Sequence, residues 1–269
     1  AEDGIRDSVN GLVGSEMCIR DSLRPHRGGR GRTSRLCRAA GRTPCEQEAR
    51  PVPSMRHVPH VLVPAPWDAT ECPVPTTTRR HLGTVLRLAN GAVITYTDGR
   101  GAAGDGVWNG SAIVRGDERI VTSVLPIVTI AVAPPRSKDR QRFIVEKLQE
   151  LAVQRLVWLS TAHGQARPPS ADKAMAWATA ALEQSRGAHL MDIDAAALEG
   201  LDADEVLWAD MTGESVRSVA RGEGPFTVAI GPEGGWSDEE RVRFGTRVSL
   251  GSTLLRTETA AVVAAAAFR

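Results

Sequence analysis

The sequence predicts an α/β protein in which a parallel sheet follows a smaller, β-rich domain. Three observations carry that expectation. From Ile127 onward, short apolar runs alternate with helical patterns, as in chains built from strand–helix–strand units. Residues 55 to 125 break instead into short β-prone runs separated by Gly turns. Near the C-terminus, the apolar run Phe226–Ile230 passes straight into Gly231-Pro232-Glu233-Gly234-Gly235-Trp236-Ser237, a strand end turned sharply into a helix start.

In chain order, Val58–Val63, Ala92–Thr97, Gly106–Val114 and Ile120–Leu125 read as strands, with Arg79–Leu88 as one helical insertion among them. Ile127–Ala133 is a strand. Lys138–Leu151 sets Ile144, Leu148 and Leu151 on one helical face, and Ala171–Gln184 aligns Ala174, Ala178 and Ala181. Leu156–Leu159, Val206–Ala209 and Phe226–Ile230 are the remaining strands. Ser237 is placed to cap a helix whose third residue, Glu240, completes a capping box, and Gly245 is placed to end it. Thr259–Phe268 is Ala/Val-rich and reads as a buried or interface helix. It is too short to span a bilayer, and no other stretch reaches that length.

Residues 1–54 stand apart. They hold 10 Arg against 7 acidic residues, while the remainder holds 23 Lys or Arg against 25 acids. No basic nucleic-acid footprint covers the main body, so any RNA contact there is local. Ile5-Arg6-Asp7-Ser8 recurs as Ile19-Arg20-Asp21-Ser22, Gly11–Ser22 resembles a translated sequencing adapter, and Leu23–Pro53 has little periodic apolar pattern. A non-native or disordered leader is expected, with the natural start at Met55. Cys18, Cys37, Cys45 and Cys72 lack metal-ligand spacing, so no metal is expected. The lack of cysteine after Cys72 fits a reducing, cytoplasmic setting.

The Gly-rich turn sits where open α/β sheets bind ligands, and bare glycines there let a ligand approach the backbone. A phosphate loop is the competing reading. No Gly-Lys-Ser/Thr follows, however, and Glu233, Asp238, Glu239 and Glu240 surround the helix start with negative charge. A cationic ligand without phosphate suits that charge. A second string follows, Leu250-Gly251-Ser252-Thr253-Leu254-Leu255-Arg256-Thr257-Glu258-Thr259-Ala260.

Together the two strings resemble the cofactor pocket of the SPOUT methyltransferases. More narrowly, they resemble the family that methylates N3 of a uridine in small-subunit ribosomal RNA. Arg80-His81-Leu82-x-x-Val85-Leu86-Arg87-Leu88-x-x-Gly91, followed by Asp98-Gly99-Arg100-Gly101, is similar to that family's small PUA-like barrel. The resemblance implies a SPOUT-type knotted parallel-sheet methyltransferase domain over 126–269 and a PUA-like β-barrel domain over 55–125. It also implies S-adenosyl-L-methionine as cofactor, ribosomal RNA or the small ribosomal subunit as partner, and a homodimer.

By the same resemblance, cofactor contacts fall on Ile230, Gly231, Pro232, Glu233, Gly234, Gly235, Leu250, Gly251, Leu254, Leu255, Thr257 and Ala260. Arg79, Arg80, Arg87 and Arg100 are candidates for RNA phosphates. N3 of uridine must lose a weakly acidic proton, so the reaction needs a base or a cation that stabilises the anion. Arg256 is the candidate cation and Glu258 a candidate carboxylate; an ion pair from Arg256 to Glu258 or Glu233 that braces the loop is the alternative. His81 and His163 read as structural or surface histidines, and Trp236 as a packing residue.

Some positions depart from the family. Arg142 stands where Glu is usual and Ala152 where Gly is. Thr161-Ala162-His163 replaces a basic Arg-Ser pair, and Gly187 replaces Arg. They motivate two further readings: an RNA-binding SPOUT-fold protein with lost catalysis, and a SPOUT methyltransferase acting on another RNA.

Overall fold

Two sheets organise the chain in the computed structural model, which describes residues 58–122, 127–202, 204–219 and 225–268. The expected leader and the Met55 start lie outside these residues. The first sheet has the strands β1 (His60–Leu62), β2 (Glu71–Cys72), β3 (Val93–Thr97), β4 (Ala102–Trp108) and β5 (Ile113–Ile120), in the order β1-β3-β4-β5-β2. Helix α1 (Thr76–Arg80), continued by a π-helical turn at His81–Val85, lies between β2 and β3. Its Leu82 joins Val61, Val63, Ile94, Tyr96, Trp108 and Ile113 in one buried cluster. Each such side chain contributes roughly 1.5–3 kcal/mol relative to exposure.

One expected strand divides. Gly106–Val114 is not continuous, because the chain turns between β4 and β5. Asn109 Oδ1 accepts from Ser111 N and Ala112 N, and Gly110 takes φ +96°. Asn-Gly is a strong hairpin signal, so the sequence held this turn. Ile120 ends β5, and residues 123–126 of the next expected strand lie outside those described.

The second sheet is parallel throughout, in the order β11-β9-β10-β6-β7-β8. Its strands are β6 (Val128–Val132), β7 (Arg155–Ser160), β8 (Asp192–Ala197), β9 (Val206–Ser215), β10 (Phe226–Ile230) and β11 (Arg247–Ser249). The helices are α2 (Lys138–Glu150), α3 (Ala171–Ser185), α4 (Val216–Val219), α5 (Asp238–Val242) and α6 (Thr257–Ala267). Strand side chains split by parity. Val128, Ile130, Val132, Val228 and Ile230 pack with Ile144, Leu148 and Ala261 in one cluster, while Ala131, Val157, Leu159 and Ala229 pack with Trp208 and Trp236 in another. Burial on both faces explains why these strands read as continuous apolar runs.

The sequence reading missed β8 and β11. β8 is mostly exposed and carries Asp192, Asp194 and three Ala, so no apolar alternation marks it. α5 ends at the C-cap Arg243, ahead of Gly245. α6 buries Ala260, Ala261, Ala264 and Ala265 in the chain's own core, which makes it a core helix.

Backbone bonds join the sheets: Gly101 N to Ala188 O at 2.9 Å and Leu190 N to Gly99 O at 2.8 Å. His60 donates from Nε2 to Gly187 O (3.1 Å) and meets Thr95 Oγ1 through Nδ1 (2.9 Å). Burial pushes the His60 imidazolium pKa down, and Arg186 and Arg119 act in the same direction against the Gly187 bond. Glu183 accepts from Leu62 N at 3.0 Å, and burial raises its carboxyl pKa.

Candidate active site

The carboxyl edge of a parallel sheet collects the loops that follow its strands. Here β9, β10 and β11 deliver three segments to one cleft of about 780 Å³. Ile230 to Gly235 come from the β10 loop, and Leu250, Gly251, Leu254, Leu255, Thr257 and Ala260 from the segment after β11. Every residue singled out for the cofactor therefore lines the same cavity, together with Arg256 and Thr253. Thr257 Oγ1 reaches Gly231 O at 3.5 Å across the two loops.

The third wall, Ala209 to Thr212, was not foreseen. β11 pairs Arg247 with Trp208 and then Val248 with Glu214, so the residues between leave the ladder as a bulge. A bulge re-aims side chains, and this one turns Asp210 toward the cleft. Burial opposes ionisation of Asp210, but bonds from Thr212 N (2.9 Å), Thr212 Oγ1 (2.7 Å) and Arg241 Nη1 (2.6 Å) outweigh it and hold the carboxyl below its usual range. A Cβ on Gly213 would meet backbone atoms of Arg247 and Val248 at 2.4 Å, so only glycine lets the bulge rejoin β11.

The Gly-rich turn meets the expected form with one change of reason. Ser237 Oγ accepts from Glu240 N (3.2 Å), while Glu240 Oε2 accepts from Ser237 N (2.7 Å), so the capping box is complete. Gly235 has φ +74°. Gly231 is needed for its neighbour: a Cβ there would lie 2.8 Å from the Trp236 ring. Trp236 packs edge-on against Trp208 and Phe244, as a packing residue does. His163 is exposed and donates from Nδ1 to Gly235 O at 3.1 Å.

Arg140, on the first turn of α2, was missed altogether. Its Nη1 lies 2.8 Å from Glu233 Oε1 and its Nε 3.4 Å from Glu258 Oε1. It thus ties the Gly-rich loop to the first turn of α6, and it lines the cleft itself. Glu258 does not line the cleft and reaches the site through Arg140; its other oxygen, Oε2, is buried without a donor. Arg256 is the exposed N-cap residue of α6 and forms no ion pair among the described residues. The bracing pair that was the alternative reading of Arg256 is made by Arg140 instead.

An RNA methyltransferase domain matches residues 123–269. The chain belongs to the RNA methyltransferase family. Ribosomal RNA small subunit methyltransferase E of Synechocystis sp. is 30% identical over 236 residues, 76% of this chain and 75% of that protein. A probable rRNA-methyltransferase from Porphyromonas gingivalis has a crystal structure similar to this chain with TM-score 0.67 at 26% identity, covering 78% of this chain and 96% of the other. The ribosomal RNA small subunit methyltransferase E of Neisseria gonorrhoeae, solved bound to S-adenosyl methionine, shares the fold with TM-score 0.67 at 24% identity, over 78% and 96% of the two chains.

In this RNA methyltransferase the departures from the family pattern are accommodated locally. Arg142 pairs with Glu146 at 2.6 Å. Ala152 takes the left-handed conformation after α2 (φ +53°), with Val153 N bonded to Leu148 O. Arg186 takes the same conformation after α3, and Gly187 N bonds Leu182 O. Arg79, Arg80 and Arg87 lie on the α1 insertion and its exit, and Arg100 on the β3–β4 turn. All four are exposed, and none lines the cleft.

Proposed function

We propose that this chain is an S-adenosyl-L-methionine-dependent ribosomal RNA methyltransferase acting on the small subunit, with N3 of a uridine as its target. The observation that carries this is the cleft, in which both motif loops meet at the carboxyl edge of the sheet. The named relative at 30% identity supports the substrate class. The donor set fits the cofactor. Residues 231–235 line the cavity with Leu250, Gly251, Thr253, Leu254 and Leu255, and Ile230, Leu250, Leu255 and Ala260 supply apolar surface. Glu233 and Asp210 also line it, each paired with an arginine.

S-adenosylmethionine supplies an electrophilic methyl group and leaves as a neutral thioether. The chain's part is to bind, orient and manage one proton. Arg256 lines the cleft and forms no ion pair among the described residues, so its guanidinium is available to stabilise the uridine anion. Glu258, the candidate carboxylate of the sequence, does not line the cleft and is paired with Arg140, so its part in this reading is to position Arg140 rather than to take the N3 proton directly.

The finer architecture belongs to the same proposal: a SPOUT trefoil knot in the second sheet, a PUA-like barrel in the first with an RNA-contacting face at Arg79, Arg80, Arg87 and Arg100, a cytoplasmic setting and a homodimer. The dimer rests on the family resemblance, because α6 is buried in its own core; light scattering at tens of micromolar giving a monomer mass contradicts it. The deciding experiment is mass spectrometry of small-subunit rRNA from cells with and without this gene. Loss of one N3-methyluridine is expected on deletion, and an unchanged modification pattern overturns the proposal.

A further inference from the structure

Strands β6 and β7 are adjacent and parallel, so the loops after them, 133–137 and 161–170, leave the sheet side by side. Three contacts brace them. Gln141, which is 3% exposed, donates from Nε2 to both Pro135 O (2.8 Å) and Arg167 O (3.0 Å). Arg136 bonds Gln165 Oε1. Glu240 of the capping box accepts from Ala162 N at 2.7 Å. The His163 bond to Gly235 O then joins this loop pair to the Gly-rich wall of the cleft.

This braced edge carries Arg136, Lys138 and Arg167, all exposed and none in an ion pair among the described residues. Their neighbours Arg140 and Arg142 are neutralised by Glu233, Glu258 and Glu146. Asp139 and Asp172 lie on the same helix starts and offset part of the charge. Arg136, Lys138 and Arg167 outnumber Asp139 and Asp172 on the rim itself, while the Arg140 and Arg142 pairs hold one acid more than they have bases. What the edge offers is a run of cations without ion pairs among the described residues, in a body where acids outnumber bases from residue 55 onward. Beyond His163, the exposed Asp238 and Glu239 form no ion pair among the described residues and would repel a polyanion, so the favourable approach to the cleft runs over the β6–α2 and β7–α3 loops.

We propose that Arg136, Lys138 and Arg167 form a phosphate-contacting rim that holds the RNA strand carrying the target nucleotide beside the cleft. This rests on the rRNA methyltransferase reading above. Phosphate contacts position a strand without reading its sequence, and each one adds to the salt dependence of binding. Long flexible cations on loops held by buried hydrogen bonds suit that task.

The test is a charge-reversal variant, R136E/K138E/R167E, beside the milder R136Q/R167Q and the conservative R136K/R167K, each compared with the unaltered chain. Binding to purified small-subunit ribosomal RNA is measured across salt concentration. The reversal variant is expected to bind at least about tenfold more weakly, with a log–log salt slope shallower by about 2 units. KM for small subunits should rise more than kcat falls, S-adenosylmethionine affinity should hold within about twofold, and the lysine variant should retain RNA binding. Unchanged RNA affinity and slope in a folded reversal variant overturn the rim while leaving the enzyme reading intact. A parallel loss of cofactor affinity and melting temperature in all three variants assigns these residues to the fold and also overturns it. If the unaltered chain binds no ribosomal RNA, the rim and the enzyme reading fall together.

Discussion

Arg140 Nη1 lies 2.8 Å from Glu233 Oε1, although 93 positions of chain separate them. The same guanidinium reaches Glu258 Oε1 at 3.4 Å. One side chain of α2 therefore joins the loop after β10 to the start of α6, the two segments that form most of the cleft. Both carboxylates carry cleft geometry, and their mutual repulsion would otherwise spread the loops.

Arg140→Ala is expected to weaken S-adenosylmethionine binding about tenfold, equivalent to about 1.4 kcal/mol, with only a small change in melting temperature. Partly exposed ion pairs contribute about 0–1 kcal/mol to stability, so the effect falls on loop placement. Arg140→Lys should be intermediate, since an ammonium cannot span two carboxylates as a planar guanidinium does. Calorimetry reads both; unchanged affinity in Arg140→Ala removes the clamp from the account.

Arg256→Ala should behave differently. It breaks no ion pair among the described residues, so cofactor affinity and melting temperature should stay close to those of the unaltered chain. Turnover on small ribosomal subunits should fall by the equivalent of about 2–4 kcal/mol, as when one charge-stabilising donor is removed from a reacting centre. Near-normal turnover counts against Arg256 as the stabilising cation.

Ala152 offers a stability test remote from the cleft. At φ +53° its Cβ crowds the backbone, a conformation costing an L-residue about 1–2 kcal/mol. Ala152→Gly removes that strain but adds about 0.4–1 kcal/mol of unfolded-chain entropy. A net gain of several tenths to about 1 kcal/mol in chemical denaturation is expected, and a destabilised variant would show that the left-handed turn is not strained.

His60 gives a pH dependence with a definite sign. Its folded pKa is lowered from about 6.5, chiefly by burial, so the unfolded chain takes up its proton first as pH falls. The His60 contribution to stability is complete above about pH 6.5 and is lost as pH drops through that value toward the folded pKa. Glu183, whose carboxyl is raised by burial, acts in the opposite direction. The difference between the unaltered chain and His60→Gln therefore isolates the imidazole. Thermal melts from pH 8 to 5.5 should show the gap between the two proteins narrowing as pH falls; a constant gap rejects the titration.

The Gly-rich string and the Leu-Arg-Thr-Glu-Thr string were legible because each is local: strand end, turn, cap and helix start follow one another within a few residues. The capping box and the inward faces of α2 and α3 were legible for the same reason, since the 3.6-residue period exposes a buried face without knowing what covers it. β8 escaped because an edge strand that is mostly exposed, with none of its residues fully buried, shows no apolar alternation, and β11 because three residues make no pattern. The Asn109-Gly110 turn was present in the sequence and was read through.

What the sequence determined by itself, then, is the α/β class, the parallel run of elements from Ile127 and the membership of the two cofactor strings. The first two follow from propensity and periodicity, which act over one or two turns of chain; the last is what the resemblance of the strings to a family implies. Only the tertiary structure decided that both strings line a single cleft, that a bulge in β9 adds Asp210 as a third wall, and that Arg140 rather than Arg256 braces the loops. It also decided that α6 is a core helix. Each of these depends on strand order and register, which place residues far apart in sequence within one hydrogen bond of each other, and no local pattern encodes that distance.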